Sequence, residues 1–347
     1  MNFSNKLVYW YQNNKRDLPW RNTINPYYIW LSEIILQQTR VAQGTSYYLS
    51  FLKTFPTIND LAEASEDKVL KMWQGLGYYS RARNLHSTAK YIVNNFGGEF
   101  PKDYNKILNL KGVGVYTAAA ITSFAFDMPY AVVDGNVIRV LSRVFGVSLP
   151  YDLSAGKKEF QYLAHKLLIE KNAAIYNQAI MEFGAIQCKP KSPDCSVCPM
   201  QDFCVAHATN SVAELPVKSK KIKVKDRFVH YFIIEQENNI FLGKRKSGIW
   251  TGLYEFPFLE FSDKMDVKQV MQSNDWLKIF LNSIFDIKSV SIEFVHVLSH
   301  QKIHAHFWQI NATDVMLDEY ELVPKNSLLK FPVSRLTEKY LETIYLG

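Results

Sequence analysis

Four features of this 347-residue chain could do chemistry: a glutamate inside an apolar run, a glycine pair feeding an alanine-rich run, an aspartate ahead of another apolar run, and four clustered cysteines. Glu33 has Trp30, Leu31, Ile34 and Ile35 around it, apolar on nearly every face of a helix, so a solvated stripe fits it poorly. A carboxyl stripped of water resists ionisation, which raises its pKa and makes it a plausible general acid at neutral pH. Gly112 and Gly114 flank Val113 and allow a tight turn with φ > 0. The turn feeds Val115 to Phe126, predicted helical, whose free N–H groups would form an anion site suited to a phosphate. Asp134 precedes the periodic run Val137, Ile138, Val140, Leu141, Val144, and by position alone it is equally well explained as a helix N-cap. The cysteines, Cys188-x6-Cys195-x2-Cys198-x5-Cys204, could hold zinc or an iron–sulfur cluster, and ligand type alone does not decide.

The elements that must position these groups follow from spacing. Phe3, Leu7, Trp10 and Tyr11 predict a first helix that ends before DLPWRN, leaving Arg21 in a loop. Pro26 opens a helix over YYIWLSEIILQQT, which puts Glu33 and Gln37 on one face and Gln38 and Thr39 at its far end. Further helices run from Phe51 to Phe96, marked by Pro56, by Ser65 as an N-cap, and by the stop Gly97-Gly98. Between them QGLGYYSRARNL breaks at Gly75 and Gly77 and presents Tyr78 and Tyr79 beside Arg81 and Arg83. Such an aromatic can wedge into a base stack or make a helix–helix contact. Helices continue to about Gly184, and Leu215 to Arg227 is a basic, glycine-free surface linker with DNA contact as its second reading.

Beyond residue 227 the pattern turns to strands: VHYFIIE, a turn at Glu237-Asn238-Asn239, IFLGKR, then SIEFVHVLSH and HAHFWQI after a helix near Val267 to Phe280. His296, His300, His304 and His306 would share a face only if one strand ran through Ser299 to Lys302, which looks like a turn. No carboxylate lies close to them in sequence, so no metal site is expected there.

Composition sets the frame. An apolar content of 48% over this length supports about two domains with ordinary cores. A net charge of +7 and a pI near 9.0 suit a polyanionic partner such as nucleic acid. No apolar run reaches the ~18 residues that span a bilayer, and MNFSNKLVYW lacks the form of a signal peptide, so the chain reads as soluble and intracellular with no membrane partner. Cysteines confined to one loop argue for one metal site and against a disulfide scaffold.

The glycine hairpin, its helix and Asp134 together resemble the helix-hairpin-helix DNA glycosylases. WLSEIILQQT closely resembles the MutY-type adenine glycosylases, which remove adenine mispaired with 8-oxoguanine, and the resemblance continues in order through LPWR, GLGYYS, LKGVGVYT and VDGNV. The x6, x2, x5 cysteine spacing is that of the [4Fe-4S] loop of endonuclease III and MutY proteins, and the strand-rich region with WTGLYEFP is similar to the Nudix-like C-terminal domain of MutY proteins.

The resemblance implies a mainly α glycosylase domain over 1–214, with two helical subdomains and an iron–sulfur loop at 188–204. A basic connector over 215–227 and an α+β Nudix-like lesion-recognition domain over 228–347 follow. It implies a monofunctional base-excision enzyme in which Glu33 protonates adenine and Asp134 stabilises the cationic sugar, with Tyr116 and Asn136 beside it. Arg21 would contact adenine, Gln38 and Thr39 the lesion side, Gly112 and Gly114 a DNA phosphate, and Tyr78 would insert into the duplex. Ser299 and His300 would read 8-oxoguanine, although Leu298 stands where the family's turn has Phe. Cys188, Cys195, Cys198 and Cys204 would hold a [4Fe-4S] cluster. An RExxEE-type cluster is missing, which implies recognition and not Nudix hydrolysis. Tyr116 stands where bifunctional endonuclease III-like enzymes carry a catalytic lysine, and Lys111 does not match that position. That bifunctional reading and a non-catalytic DNA-binding protein are the alternatives. The implied partner is duplex DNA with A:8-oxoguanine or A:G mispairs, bound by a monomer in a bacterial cytoplasm, at the nucleoid.

Overall fold

The computed structural model describes residues 2–219, 224–281 and 283–345. Through residue 219 the chain is helical: α1 Phe3–Asn14, α2 Pro26–Leu36, α3 Val41–Thr54, α4 Ile58–Glu63, α5 Glu66–Trp73, α6 Ser80–Phe96, α7 Tyr104–Leu108, α8 Val115–Phe126, α9 Gly135–Phe145, α10 Ser154–Leu167, α11 Ala173–Glu182 and the short α12 Val205–Ala208. Local chemistry sets many of the starts. Asn2 caps α1, Asn25 with Pro26 opens α2, Ser65 caps α5, Asp103 caps α7 and Asp134 caps α9.

Contacts divide the chain into two compact units, Met1–Glu63 with Asn84–Lys220, and Ala64–Arg83 with Lys221–Gly347. Within the first, Phe3, Leu7, Trp10 and Tyr11 of α1 pack against Val137, Val140, Leu141 and Val144 of α9 and Tyr176, Ala179 and Ile180 of α11. Cys188, Cys198 and Cys204 lie against the edge of this core.

The connector is only partly free. Leu215 is buried, its carbonyl takes a bond from Arg143, and the Val217 carbonyl takes one from the Tyr151 N–H. Residues 220–223 of it lie outside the described residues, and its last three already belong to a strand.

The second unit is built on β1 Lys225–Gln236, β2 Asn239–Lys244, β3 Tyr254–Glu255, β4 Phe258–Phe261, β5 Ile284–Val290, β6 Phe294–Val297, β7 Gln301–Thr313 and β8 Glu321–Pro324. Among the described residues these form one sheet in the order β3-β2-β1-β7-β5, with β4 on β1, β6 on β7 and β8 on β2. The long central pair β1·β7 is parallel and runs from Lys225↔Gln301 to Glu235↔Asn311. Period-2 alternation gives each face its own core. Tyr231, Ile233 and Phe307 meet Leu336 and Tyr340 of the C-terminal helix α15 (Arg335–Tyr345), while Phe232, Ile234, Trp308 and Ile310 meet Trp276 and Phe280.

Several expectations change. The helix expected near Val267 to Phe280 is two, α13 Val267–Met271 and α14 Asn274–Phe280, because Ser273 caps a new start. Helix α2 stops at Leu36 and not at Thr39. Gln38 takes φ 54°, which ends the helix, so Gln37 is its C-cap and not a full i+4 partner of Glu33. The segment Ala64–Arg83, inside 1–214 by sequence, groups with the strands: Lys71 donates to the Phe331 carbonyl, Gln74 to Glu338, and the Tyr79 hydroxyl to the Val333 carbonyl. Tyr79 is therefore buried, and only Tyr78 is presented.

The hairpin also differs from expectation. Gly112 has φ 80°, but Gly114 is extended at φ −101° and serves as the N-cap of α8. A Cβ on Gly112 would stand 2.7 Å from the Asn84 Cβ, whereas one on Gly114 meets nothing within 4 Å. Gly112→Ala is therefore expected to lose roughly 1–3 kcal/mol of folding stability. Gly114→Ala should stay within about 0.5 kcal/mol. Urea denaturation of the two variants checks the contrast, and equal losses would refute it.

Candidate active site

Helix α2 packs on α8, and between them the buried Glu33 carboxyl accepts a hydrogen bond of 2.7 Å from the Tyr116 hydroxyl. Burial pushes Glu33 up to about 7. The Tyr116 bond opposes this, the nearby Asp134 charge adds to it, and Arg21 subtracts. Both residues line a cavity of about 220 Å3 together with Arg21, Thr39, Asp134, Asn136, Gln178 and Glu182.

Asp134 occupies both of the roles weighed for it. Its Oδ1 caps α9 by accepting from the Val137 N–H at 2.7 Å, and its Oδ2 accepts from the Asn136 amide at 2.7 Å. Burial raises its pKa, and these two bonds, with the Arg139 charge, hold it back. The cavity thus has two carboxyls in different settings: one apolar with a single hydroxyl partner, one held by N–H donors. Separated environments of this kind suit acid assistance at one group and charge stabilisation at the other.

Sequence reading missed the wall that faces them. Glu182, at 1% exposure, accepts from the Arg16 guanidinium at 2.6 Å and from Arg21 at 2.7 Å. Burial alone would push its carboxyl up, but the bonds from Arg16 and Arg21 outweigh that and hold it at about 2. Arg21 also donates to the Arg16 carbonyl, so its guanidinium is fixed at the cavity rim. Gln178 is held by the Tyr11 hydroxyl at 2.7 Å. The one available signal was a glutamate inside the apolar AIMEFGA.

Arg139 and Arg143 were missed as well, though their i, i+4 spacing within the apolar run of α9 could have marked them as buried. Arg139 donates to Asn136 Oδ1 (2.8 Å), the Gly184 carbonyl (2.6 Å) and the Cys188 carbonyl (2.8 Å), and so joins the cysteine loop to the Asp134 cap. Arg143 donates to the Lys189 carbonyl and lies 3.5 Å from the Cys188 sulfur.

The four cysteines line a single cavity beside Arg143 and Met200. Among the described residues no three His, Cys, Asp or Glu side chains could hold one metal ion, so what the thiols share is the cavity itself. Burial pushes the Cys198 thiol up to about 11 and raises Cys195 and Cys204, with neighbouring thiols adding to each. Four thiolates gathered there need a compensating positive charge. A cluster that binds one thiolate per iron supplies it, so the residues fit such a group.

Other expected residues sit as follows. Gln38 is exposed and Thr39 half-buried beyond α2, and the Gln37 amide donates to Thr117 of α8. Gly112, Gly114 and Val115 are exposed, at the uncapped start of α8. In the second unit, Ser299 and His300 occupy the turn closed by the Leu298 N–H on the Gln301 carbonyl, and the Ser299 hydroxyl is 2.9 Å from that of Tyr78. His304 lies between two carboxylates, each at 3.0 Å: Asp226, distant in sequence, and Glu293, which stands only three residues before His296, so the expectation of no carboxylate close to these histidines does not hold.

A hairpin-presented helix start, a capped aspartate and a cysteine loop define a helix-hairpin-helix DNA repair enzyme. The model for HhH-GPD superfamily base excision DNA repair proteins matches residues 31–164, that for the iron-sulfur binding domain of endonuclease III residues 188–204, and that for the NUDIX domain residues 230–343. The adenine DNA glycosylase of Buchnera aphidicola subsp. Baizongia pistaciae is 35% identical over 94% of this chain and 89% of its own length. That of Mus musculus is 33% identical over 87% of this chain and 69% of its own. Among solved structures, a thermostable thymine-DNA glycosylase aligns with a TM-score of 0.56 at 32% identity, covering 60% of this chain and 95% of that one. The chain belongs to the adenine DNA glycosylase family, enzymes of base excision repair, with a [4Fe-4S] cluster on its four cysteines.

Glu182→Gln would leave Arg21 without its buried counter-charge, so a stability loss of roughly 3 kcal/mol or more is expected at neutral pH. Because the folded Glu182 sits below its ordinary 4.5, its contribution is present above that value and is lost as pH falls towards 2. Urea denaturation at neutral pH and at about pH 3 should therefore show the variant's deficit shrinking in acid; a constant deficit would contradict the pairing.

Proposed function

We propose that this protein, as a monomer, hydrolyses the N-glycosidic bond of adenine opposite 8-oxoguanine or guanine in duplex DNA, after flipping the adenine into the cavity lined by Glu33 and Asp134. Flipping is required because stacked bases enclose the bond. The observation that carries this reading is the buried Glu33 carboxyl, raised to about 7, in the same cavity as the N–H-held Asp134.

Glu33 donates its proton to the flipped base, so that the base departs neutral. The Tyr116 hydroxyl then stabilises the carboxylate left behind, to which it is already bonded. Asp134, ionised and oriented by Asn136 and the Val137 N–H, faces the cationic sugar. Arg21, fixed by Glu182, supplies N–H donors to the acceptor edge of the adenine. Gly112, Gly114 and the start of α8, which has no side-chain cap, hold a DNA phosphate. A hydroxyl at position 116 offers no amine for a Schiff base, which supports hydrolysis without strand cleavage. Cys188, Cys195, Cys198 and Cys204 would hold the [4Fe-4S] cluster, which would give structural support to the loop on which exposed Lys189 and Lys191 face DNA.

Residues 228–347 act as the recognition domain, with 215–227 as connector. Ser299 and His300 read 8-oxoguanine, and Tyr78 inserts into the duplex. In the helical unit, Gln38 and Thr39 contact the lesion side of the DNA. The bound protein resides on the nucleoid of a bacterial cytoplasm. A hydroxyl such as that of Ser299 can accept from the N7–H that distinguishes 8-oxoguanine from guanine, a contact worth about 1–3 kcal/mol.

Base release should be measured on duplexes with A opposite 8-oxoguanine, G, C and T, for the wild type and for Asp134→Asn. Release from the first two is expected, and Asp134→Asn should nearly abolish it while retaining binding; full activity in that variant would reduce Asp134 to a cap. In single-turnover pH profiles the rate should fall as pH rises through about 7, where Glu33 loses its proton. Tyr116→Phe removes a bond that favours the ionised form, so its residual activity should fall off at higher pH; a limb that moves to lower pH would sink the assignment of Glu33 as the acid.

A further inference from the structure

The loop that presents Tyr78 is held in an unfavourable backbone. Gly75, Gly77 and Tyr78 have φ of 96°, 70° and 47°, and tyrosine has no glycine-like tolerance for such a value. Its ring is nevertheless 49% exposed, so burial of that ring does not hold the conformation. The neighbours do. The fully buried Trp73 donates its indole N–H to the Gly77 carbonyl at 3.0 Å, and the Arg81 guanidinium donates to the carbonyls of Leu76 (3.2 Å) and Gly77 (3.3 Å).

The same guanidinium lies 5.2 Å from the Trp73 ring centre and 5.6 Å from that of Tyr78. Arg81 falls in the first turn of α6, where the helix dipole disfavours a cation, and burial pulls its pKa down to about 10. A cation kept in so adverse a place needs a local task. One nitrogen, Nη2, serves both carbonyls while the delocalised guanidinium plane lies against the two rings. A lysine ammonium could reach the carbonyls but has no plane to stack, so it would not replace arginine.

We propose that Arg81 is a positioning residue that sets Tyr78 for insertion, fastening the left-handed loop and backing the tyrosine ring. This rests on the reading above that Tyr78 enters the duplex. The arginine acts through the tyrosine, so removing it should matter only while the tyrosine is present.

The test is a double-mutant cycle in the full-length, cluster-loaded protein, comparing Tyr78→Ala, Arg81→Lys and the pair by single-turnover adenine release from an A:8-oxoguanine duplex. Visible absorption and thermal melting serve as folding controls. Arg81→Lys is expected to slow release by about tenfold or more, and to add less than about twofold in the Tyr78→Ala background. The loss should shrink when adenine faces an abasic site, where less unstacking is required. Equal losses from Arg81→Lys in both backgrounds, or no loss at all, would overturn the proposal while leaving insertion by Tyr78 intact. A Tyr78→Ala protein as fast as wild type would instead remove the insertion reading, and this proposal with it. If Arg81→Lys fails to load its cluster, Trp73→Phe, which removes the bond to Gly77 and shrinks the ring against the Arg81 guanidinium, is put through the same cycle with the same expected non-additivity.

Discussion

The exclusion of water from one carboxyl, Glu33, is the constraint on which the helical unit depends. Helix α2 is apolar on almost all sides because it is enclosed on almost all sides, with α8 against it, and the carboxyl carried into that contact has the Tyr116 hydroxyl as its partner in the cavity. A solvated glutamate would be ionised at neutral pH and have no proton to give. Burial reverses that, and the cavity must then supply polarity elsewhere without rehydrating the acid. Arg21 and Arg16 meet this demand from the opposite wall, where their charges are balanced by Glu182, so the arginine reaching the cavity lowers the Glu33 pKa only as a minor influence.

The second carboxyl obeys the opposite rule. Asp134 is buried but surrounded by donors, and its place at the head of α9 gives it a backbone N–H that no side-chain change can remove. Arg139, one turn along the same helix, ties this end to the Gly184 and Cys188 carbonyls. A Cβ on Gly184 would fall 2.7 Å from the Asn136 Cβ, so the helix start and the approach to the cysteine loop are in close contact. The loop is thus a structural neighbour of the aspartate despite more than fifty residues of separation.

The strand-rich unit owes its order to a parallel pair, β1 with β7, whose alternate residues serve two aromatic cores. What the unit offers is its loops: the turn at Leu298 to Gln301, and the docked segment Ala64–Arg83 with Tyr78 exposed at its tip. Hydrogen bonds from Lys71, Gln74 and Tyr79 fix that segment to the start of α15 and the residues before it, so a stretch that belongs to the helical half by chain order is shaped by the strand-rich half.

Sequence by itself determined what depends on nearest neighbours and on motif spacing. It placed α1 and α9, bounded α8 at Val115 to Phe126, and marked the cap at Asp134, the desolvation of Glu33, the cysteine loop and the family. These follow because helix periodicity, capping and ligand spacing act over a few residues. The tertiary structure decided what comes from groups far apart in the chain. Glu182 meets Arg16 and Arg21 across more than 160 residues, Arg139 reaches Cys188 across 49, and His304 finds Asp226 on β1 and Glu293 just before β6. It also decided backbone states that residue type leaves open: Gly112 left-handed and Gly114 extended, α2 ended by Gln38, Tyr79 buried while Tyr78 stays outside. A buried charge has to find a counter-charge wherever the fold provides one, and no local pattern in a single chain says where that will be.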